Sequence, residues 1–370
     1  MKKLIYSKDR LAEARELRKR WYTGEDIPRT PFVFTVNGHV APYSHIEMCQ
    51  DGKKATEVFI ASFQHQFDTF PDCDFLPVMH YGHLGQAILA SMYGAKQLLD
   101  EHYPPFTEGR VFKDIYETEA MSNDFEVEDT EWGKKLKEHL EIFIEATDGQ
   151  MPLCVADYQS PYGTATKLLP DVELMIAMYD EPELFHKLMS TVTDGIIKLI
   201  HAMEKWAGPE IFTHNMYNPI PGACGLSMWD DYISVITPAL HQEFCVPYNL
   251  KLFELFGYGH LHTCGPLFPG FIDSCLACKP RSMDIIILRG TGRSKEDLIN
   301  LFELTSKAGV LLFGELNYNE VSLFDPHFKN TDDEFLFQSI PKGYLPSSSG
   351  SYEEGLAFAE KIKKFDEQHH

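Results

Sequence analysis

The sequence predicts an α/β protein, a (β/α)8 TIM barrel formed as a single domain over residues 1–370, and three observations carry that prediction. Eight short apolar runs alternate with longer helix-like segments, the order that yields a parallel sheet. Polar residues gather at the C-terminal ends of the runs, where barrel enzymes keep their chemistry. The 370 residues, 44% of them hydrophobic, supply the core that one large domain needs.

Residues 1–27 read as an N-terminal helical extension. MKKLIYSKDRLAEARELRKRW opens with two lysines, but charges interrupt its apolar part, so it is a helix and not a signal peptide. The strand candidates follow: PFVFTVN (31–37), DFLPVMH (74–80), PLCVADYQ (152–159), IFTHNM (211–216), GHLHTC (259–264), DIIILRG (284–290), VLLFGELN (310–317) and GYLPSSSG (343–350). Between the second and third lies an irregular insertion of helices and loops. Residues 171–206 form two helical stretches broken near Pro182. SKEDLINLFELTSKAG (294–309) begins with a Ser-x-x-Asp cap and ends on glycine, and YEEGLAFAEKIKKF (352–365) is the last helix.

The formal net charge of -22 disfavours nucleic acid and anionic membranes, which need a basic face. No apolar run is long enough to span a bilayer. The expected compartment is the cytoplasm, so the eight cysteines are expected as thiols or ligands, not disulfides. His369 and His370 are set aside as a tag remnant.

Barrel strands would bring their upper ends to one mouth. That ring contains Asn37, His39, His80, Asp157, Tyr158, Gln159, His214, Asn215, His262, Cys264, Arg289, Glu315, Asn317 and Ser347 to Ser349. His39, His80 and His214 are candidate proton donors, with hydrogen-bonded structural histidines as the alternative. Asn37, Asp157, Tyr158, Gln159, Asn215, Tyr217, Arg289 and Asn317 are candidate substrate contacts. Tyr43, Tyr81, Tyr158, Tyr162, Tyr217 and Trp229 line a pocket or serve as packing. Asp230 and Asp231 either orient a histidine or cap a helix.

The stretch GHLHTCGPLFPGFIDSCLACKP (259–280) bears most on chemistry. Residues two apart on a strand face the same way, so His262 and Cys264 share a side, and a nitrogen and a sulfur at an open strand end suit Zn²⁺. A satisfied core histidine beside a buried thiol is the other reading. Cys275 and Cys278 could complete a four-ligand site. However, PGFIDSCLAC reads as the next helix, which carries them away from the strand top as packing thiols.

LHTCG followed by a helix, a strand, a glycine-rich turn and GELNYNE resembles the uroporphyrinogen decarboxylase-like superfamily. So do DYQSPYGTATKLLPDVELMIAMYDEPE and WDDYISVITPALHQEFCVPYNLKLFELFGYGHLHTCG, and the likeness runs from about residue 28 onward. It implies a (β/α)8 barrel. The chain looks closer to the corrinoid-linked methyltransferases than to the decarboxylases, whose arginine-rich N-terminal motif is replaced by PFVFTVNGHVAPYSH. The methyltransferases bind zinc through His-x-Cys and a cysteine on the last strand. His262 and Cys264 match the first part, but GYLPSSSG offers serines for the second, which leaves Glu315 as the candidate third ligand.

The resemblance implies transfer of a methyl group from a small methylated substrate, an aryl methyl ether, to the cobalt of a corrinoid (cobalamin) carried by a partner protein, with zinc activating the leaving atom. A decarboxylase of a small polycarboxylate or porphyrin-like acid is the alternative enzyme, and a family member that binds without turnover is the third reading. A homo-oligomer stays open.

Overall fold

The computed structural model describes residues 3–38, 41–263, 270–285, 295–315 and 344–369. Helix α1 (Lys8–Thr23) starts where the Ser7 side chain accepts the Arg10 N–H and stops at Gly24, whose φ of 80° suits a residue without Cβ. It turns Leu11, Ala14, Leu17, Arg18, Trp21 and Tyr22 inward. Its C-terminal end is tied to the lower rim of the sheet, where Arg281 Nε donates to the Tyr22 carbonyl at 2.8 Å.

Among the described residues ten strands form: β1 (Val33–Val36), β2 (Lys96–Leu98), β3 (Phe106–Glu108), β4 (Leu153–Cys154), β5 (Phe212–Thr213), β6 (Ser227–Trp229), β7 (His260–Thr263), β8 (Ser282–Ile285), β9 (Leu311–Glu315) and β10 (Tyr344–Gly350). Six of them make a sheet in the order β1-β10-β9-β8-β7-β6, parallel throughout. β4 and β5 form a second parallel pair, and Met79 bridges to Leu153. Backbone bonds carry the wall across the gaps: Asp74 N–H to Phe32 O at 2.9 Å, Met79 N–H to Pro152 O at 3.0 Å and Ser227 N–H to His214 O at 2.8 Å. The architecture is α/β and barrel-like, with helices outside. Its strands fall into separate ladders, whereas the sequence led us to expect one regular ring of eight.

Two local causes account for the difference. The run 74–80 contains Pro77, which has no N–H to give a ladder, and only the Met79 bridge forms there. The run 211–216 keeps only β5, and β6, three residues long, adds an unexpected stave beside β7. β6 and β7 approach so closely at their lower ends that a Cβ on Gly259 would lie 1.9 Å from the Leu226 carbonyl oxygen, so only glycine fits.

α2 (His45–Gln50) and α3 (Gly52–Thr69) follow β1, and the insertion between the second and third staves carries α4 (Ile88–Met92) and the antiparallel hairpin β2–β3 before helix α5 (Glu131–Ala146), which packs on α3. After β4 come α6 (Pro161–Leu168), α7 (Asp171–Asp180) and α8 (Pro182–Ala207). Pro182 opens α8, where its missing N–H costs nothing. Phe185, Leu188, Met189, Val192, Ile196, Leu199, Ile200 and Met203 then recur at helical spacing and are buried against the wall. α9 (Pro238–Phe244) and α10 (Val246–Phe256) precede β7, α11 (Phe271–Ala277) follows it, and Tyr352–His369 is the C-terminal helix. Among the described residues no helix is long and apolar enough to cross a membrane.

The loop between β5 and β6 folds into the barrel interior. Asn215 is buried, donates from Nδ2 to the Gly225 carbonyl at 3.1 Å and accepts the Asn218 N–H at 2.8 Å. This turns the Tyr217 ring inward, onto His260 of β7 and Phe313 of β9. From below, the buried Arg18 guanidinium donates to the Tyr217 carbonyl and lies 5.6 Å from the Phe313 ring centre.

Candidate functional site

β7 and β8 pair so that His260 faces Ser282 and His262 faces Asp284 directly across the ladder. Side chains opposite each other in a sheet interact, and here they form a polar network. Asp284 Oδ1 is 2.8 Å from His260 Nε2, and its two oxygens are 2.9 and 2.8 Å from His262 Nδ1. A carboxylate only accepts, so both facing nitrogens carry protons. The Ser282 hydroxyl then donates to His260 Nδ1 at 2.9 Å. His262 Nε2 lies 3.7 Å from Asp231 Oδ1 in the turn after β6.

Burial pushes the Asp284 carboxyl up, but the charge of His262 and the two histidine hydrogen bonds outweigh it and hold the group at about 2. Burial lowers the His260 pKa, and Asp284 offsets part of that. Tyr217 forms the floor, its ring 3.9 Å from that of His260 at 23° and 5.8 Å from that of His262 at 18°.

Asp157 stands just above β4. Burial raises its pKa to about 6, the Gln159 hydrogen bonds pull it back in part, and the Asp231 charge raises it further. Gln159 holds Asp157 Oδ1 with its backbone N–H at 3.2 Å and its Nε2 at 3.1 Å, from a left-handed backbone with φ of 59°. A glutamine in that conformation is uncommon and persists where surrounding structure enforces it.

The other candidates fall in several places. His80 is solvent-accessible yet enclosed by protein, which lowers its basicity, and its ring meets Phe59 edge-on at 5.2 Å. His214 does not join the group: Nε2 is 2.7 Å from Glu204 of α8, and its ring lies 5.4 Å from that of Phe256 of α10, on the outer side of the wall. Asn37 is exposed, and its backbone N–H donates to Gly350. The Asn215 side chain bonds within its own loop, and the Tyr158 hydroxyl ties to the Ser227 carbonyl at 2.9 Å. Glu315 ends β9 opposite Ser347 of β10, and its side chain is not described. His39, Cys264, Arg289 and Asn317 lie outside the described residues.

Asp230 is an internal anchor, 3.0 Å from Ser160 Oγ and 2.7 Å from Asn249 Nδ2, and caps no helix with its side chain. Of the tyrosines, Tyr81, Tyr158 and Tyr162 are fully buried packing. Cys275 and Cys278 are buried, at the end of α11. Among the described residues no three His, Cys, Asp or Glu side chains are placed to hold a metal.

Three contributors escaped the sequence reading: His260 as a network member, Asp284 and Arg18. Asp284 opens the apolar run 284–290, and its only sequence signal is an acid where a buried strand should be apolar.

No family model and no curated protein matches the chain. Among solved structures, a methyltransferase from Methanosarcina mazei superposes with a TM-score of 0.64, covering 95% of this chain and 98% of its own at 12% identity. At that identity the likeness establishes a shared fold across nearly the whole chain.

Proposed function

We propose that the protein is a methyltransferase, moving a methyl group from an aryl methyl ether to the cobalt of a partner corrinoid protein. The observation that carries this reading is the group at the strand tops. A histidine fixed by one carboxylate and facing a second lies near a third whose pKa burial raises to about 6, in a fold shared with a methyltransferase.

Demethylation of an ether breaks the methyl–oxygen bond, and the departing oxygen must gain a proton. Asp157, protonated up to about pH 6, is the group that supplies it, and Gln159 keeps its carboxyl turned to the site. Asp284 fixes the ring and tautomer of His262, as outer carboxylates do for metal-binding histidines. His262 Nε2, with Cys264 and Glu315, would hold a zinc ion, and Asp231 adds a nearby carboxylate. Such an ion supplies Lewis-acid polarisation of the ether oxygen. Tyr217 closes the site from below and excludes water.

The test mixes the protein with a reduced corrinoid protein and a panel of methoxyarenes and methylamines, and follows corrin absorbance. Cobalt methylation by methoxyarenes is expected. Carbon dioxide release from a carboxylated substrate without cobalt methylation would replace this reading with the decarboxylase.

A further inference from the structure

Beside the site, on the far side of Asp157, lies a cavity of about 480 Å³. It is lined by the loop after His80, the turn of the β2–β3 hairpin, Asp157 and Lys167. Its wall is built to a close tolerance. Gly85, at φ of 76°, sits so near Pro105 that a Cβ would come within 2.1 Å of the Pro105 carbonyl oxygen. The 103–106 segment is thereby seated on the backbone of the loop. Tyr103 and Phe106, 67% and 47% exposed, leave apolar surface at the cavity.

Lys167 is the unusual member. In α6 seven of eight residues are buried, and Lys167 is the exception, half-buried and lining the cavity. The helix is held by Ser160, which caps it and donates to Asp230 at 3.0 Å, so the lysine stem starts from a fixed point. The chain has 55 acidic residues against 33 basic ones, yet no carboxylate among the described residues lies within ion-pair distance of Lys167 Nζ. Its ammonium lies 5.9 Å from the centre of the Tyr232 ring. A half-buried ammonium in a roomy cavity, with no counter-ion among the described residues, is a ready site for an anion.

We propose that this cavity is a substrate annex that binds a carboxylate at Lys167, with Tyr103 and Phe106 packing on the body of the molecule. The inference rests on the methyl-transfer reading and narrows its substrate to methoxyarenes that bear a carboxylate away from the methyl group. Asp157 borders both the cavity and the strand-top group, so a ligand anchored at Lys167 extends past Asp157 towards His262.

Binding of 4-methoxybenzoate and of the uncharged 4-methoxybenzamide is measured by calorimetry on the full chain without corrinoid protein. The wild type should prefer the benzoate by about tenfold, the worth of one hydrogen-bonded charge. Lys167→Met should abolish that preference and leave the benzamide affinity unchanged within about twofold, whereas Lys167→Arg should retain most of it. Retention in the arginine variant separates charge from folding.

Equal affinities in the wild type, no binding of either compound, or undiminished benzoate preference in Lys167→Met would each overturn the annex. None of these readouts involves cobalt, so the methyl-transfer reading is decided separately. If methylamines alone methylate cobalt while benzoate binding still depends on Lys167, the aryl ether reading falls and the anion site stands.

Discussion

Replacing Asp157 by asparagine removes an ionisable group with almost no change in volume. The Asp157 pKa rises from 3.8 to about 6, chiefly through burial. At about 1.36 kcal/mol per unit, that is about 3 kcal/mol of cost to the folded state once the carboxylate is ionised. Asp157 is half-buried at an open mouth, so solvent screening reduces the expected effect to about 1–3 kcal/mol. The sign follows from linkage. Below pH 4 both states hold the proton and the residue makes no difference. As pH rises through 4 to 6 the unfolded chain loses its proton first, so wild-type stability falls across that window. Asp157→Asn lacks this loss.

The variant should therefore be more stable than the wild type at pH 7.5, and the difference should shrink towards zero near pH 4. For a chain of this length, about 2 kcal/mol corresponds to roughly 3 °C in Tm. Urea unfolding of metal-free protein at the two pH values measures it. The same variant should lose about a hundredfold or more in methyl transfer, having lost its proton donor. A stability difference that is equal at both pH values, or a variant destabilised at pH 7.5, would refute the assignment of a buried, raised carboxyl.

Three further outcomes follow from the geometry. Asp284→Asn frees the His262 ring and should weaken zinc binding by about 10- to 100-fold, read by competition with a chromogenic chelator. His214→Gln disrupts contacts with Glu204 and the Phe256 ring, all on the outer side, so kcat should stay within about twofold while stability falls by about 1 kcal/mol. The seven described cysteines are all buried, and burial raises the pKa of Cys154, Cys245, Cys275 and Cys278, so Ellman's reagent should leave these seven unlabelled until the protein unfolds.

The barrel-like architecture was legible because it depends on local periodicity, which each apolar run carries on its own. β6 was not, since three residues are too few to show a period. Strand parity made His262 legible as a residue facing one side with its neighbours on β7. Its partner Asp284 was not legible, because their meeting depends on the register of β7 against β8, a relation between segments 22 residues apart in sequence. His214 was expected at the mouth because the run 211–216 read as one strand. The strand stops at Thr213, and the chain there turns the imidazole towards α8. Arg18 sits among alternating charges in α1, and only the docking of that helix under the barrel selects it for burial.

The central claim is that the strand-top group breaks a methyl–oxygen bond and delivers the methyl group to cobalt. The most direct measurement supplies a methoxyarene with a trideuterated methyl group to the protein and a reduced corrinoid protein, and reads the corrinoid by mass spectrometry. The account predicts a trideuteromethyl group on cobalt, a free phenol in equal amount, and loss of both with Asp157→Asn. An unlabelled corrinoid with the ether intact would contradict it, and so would full activity in that variant.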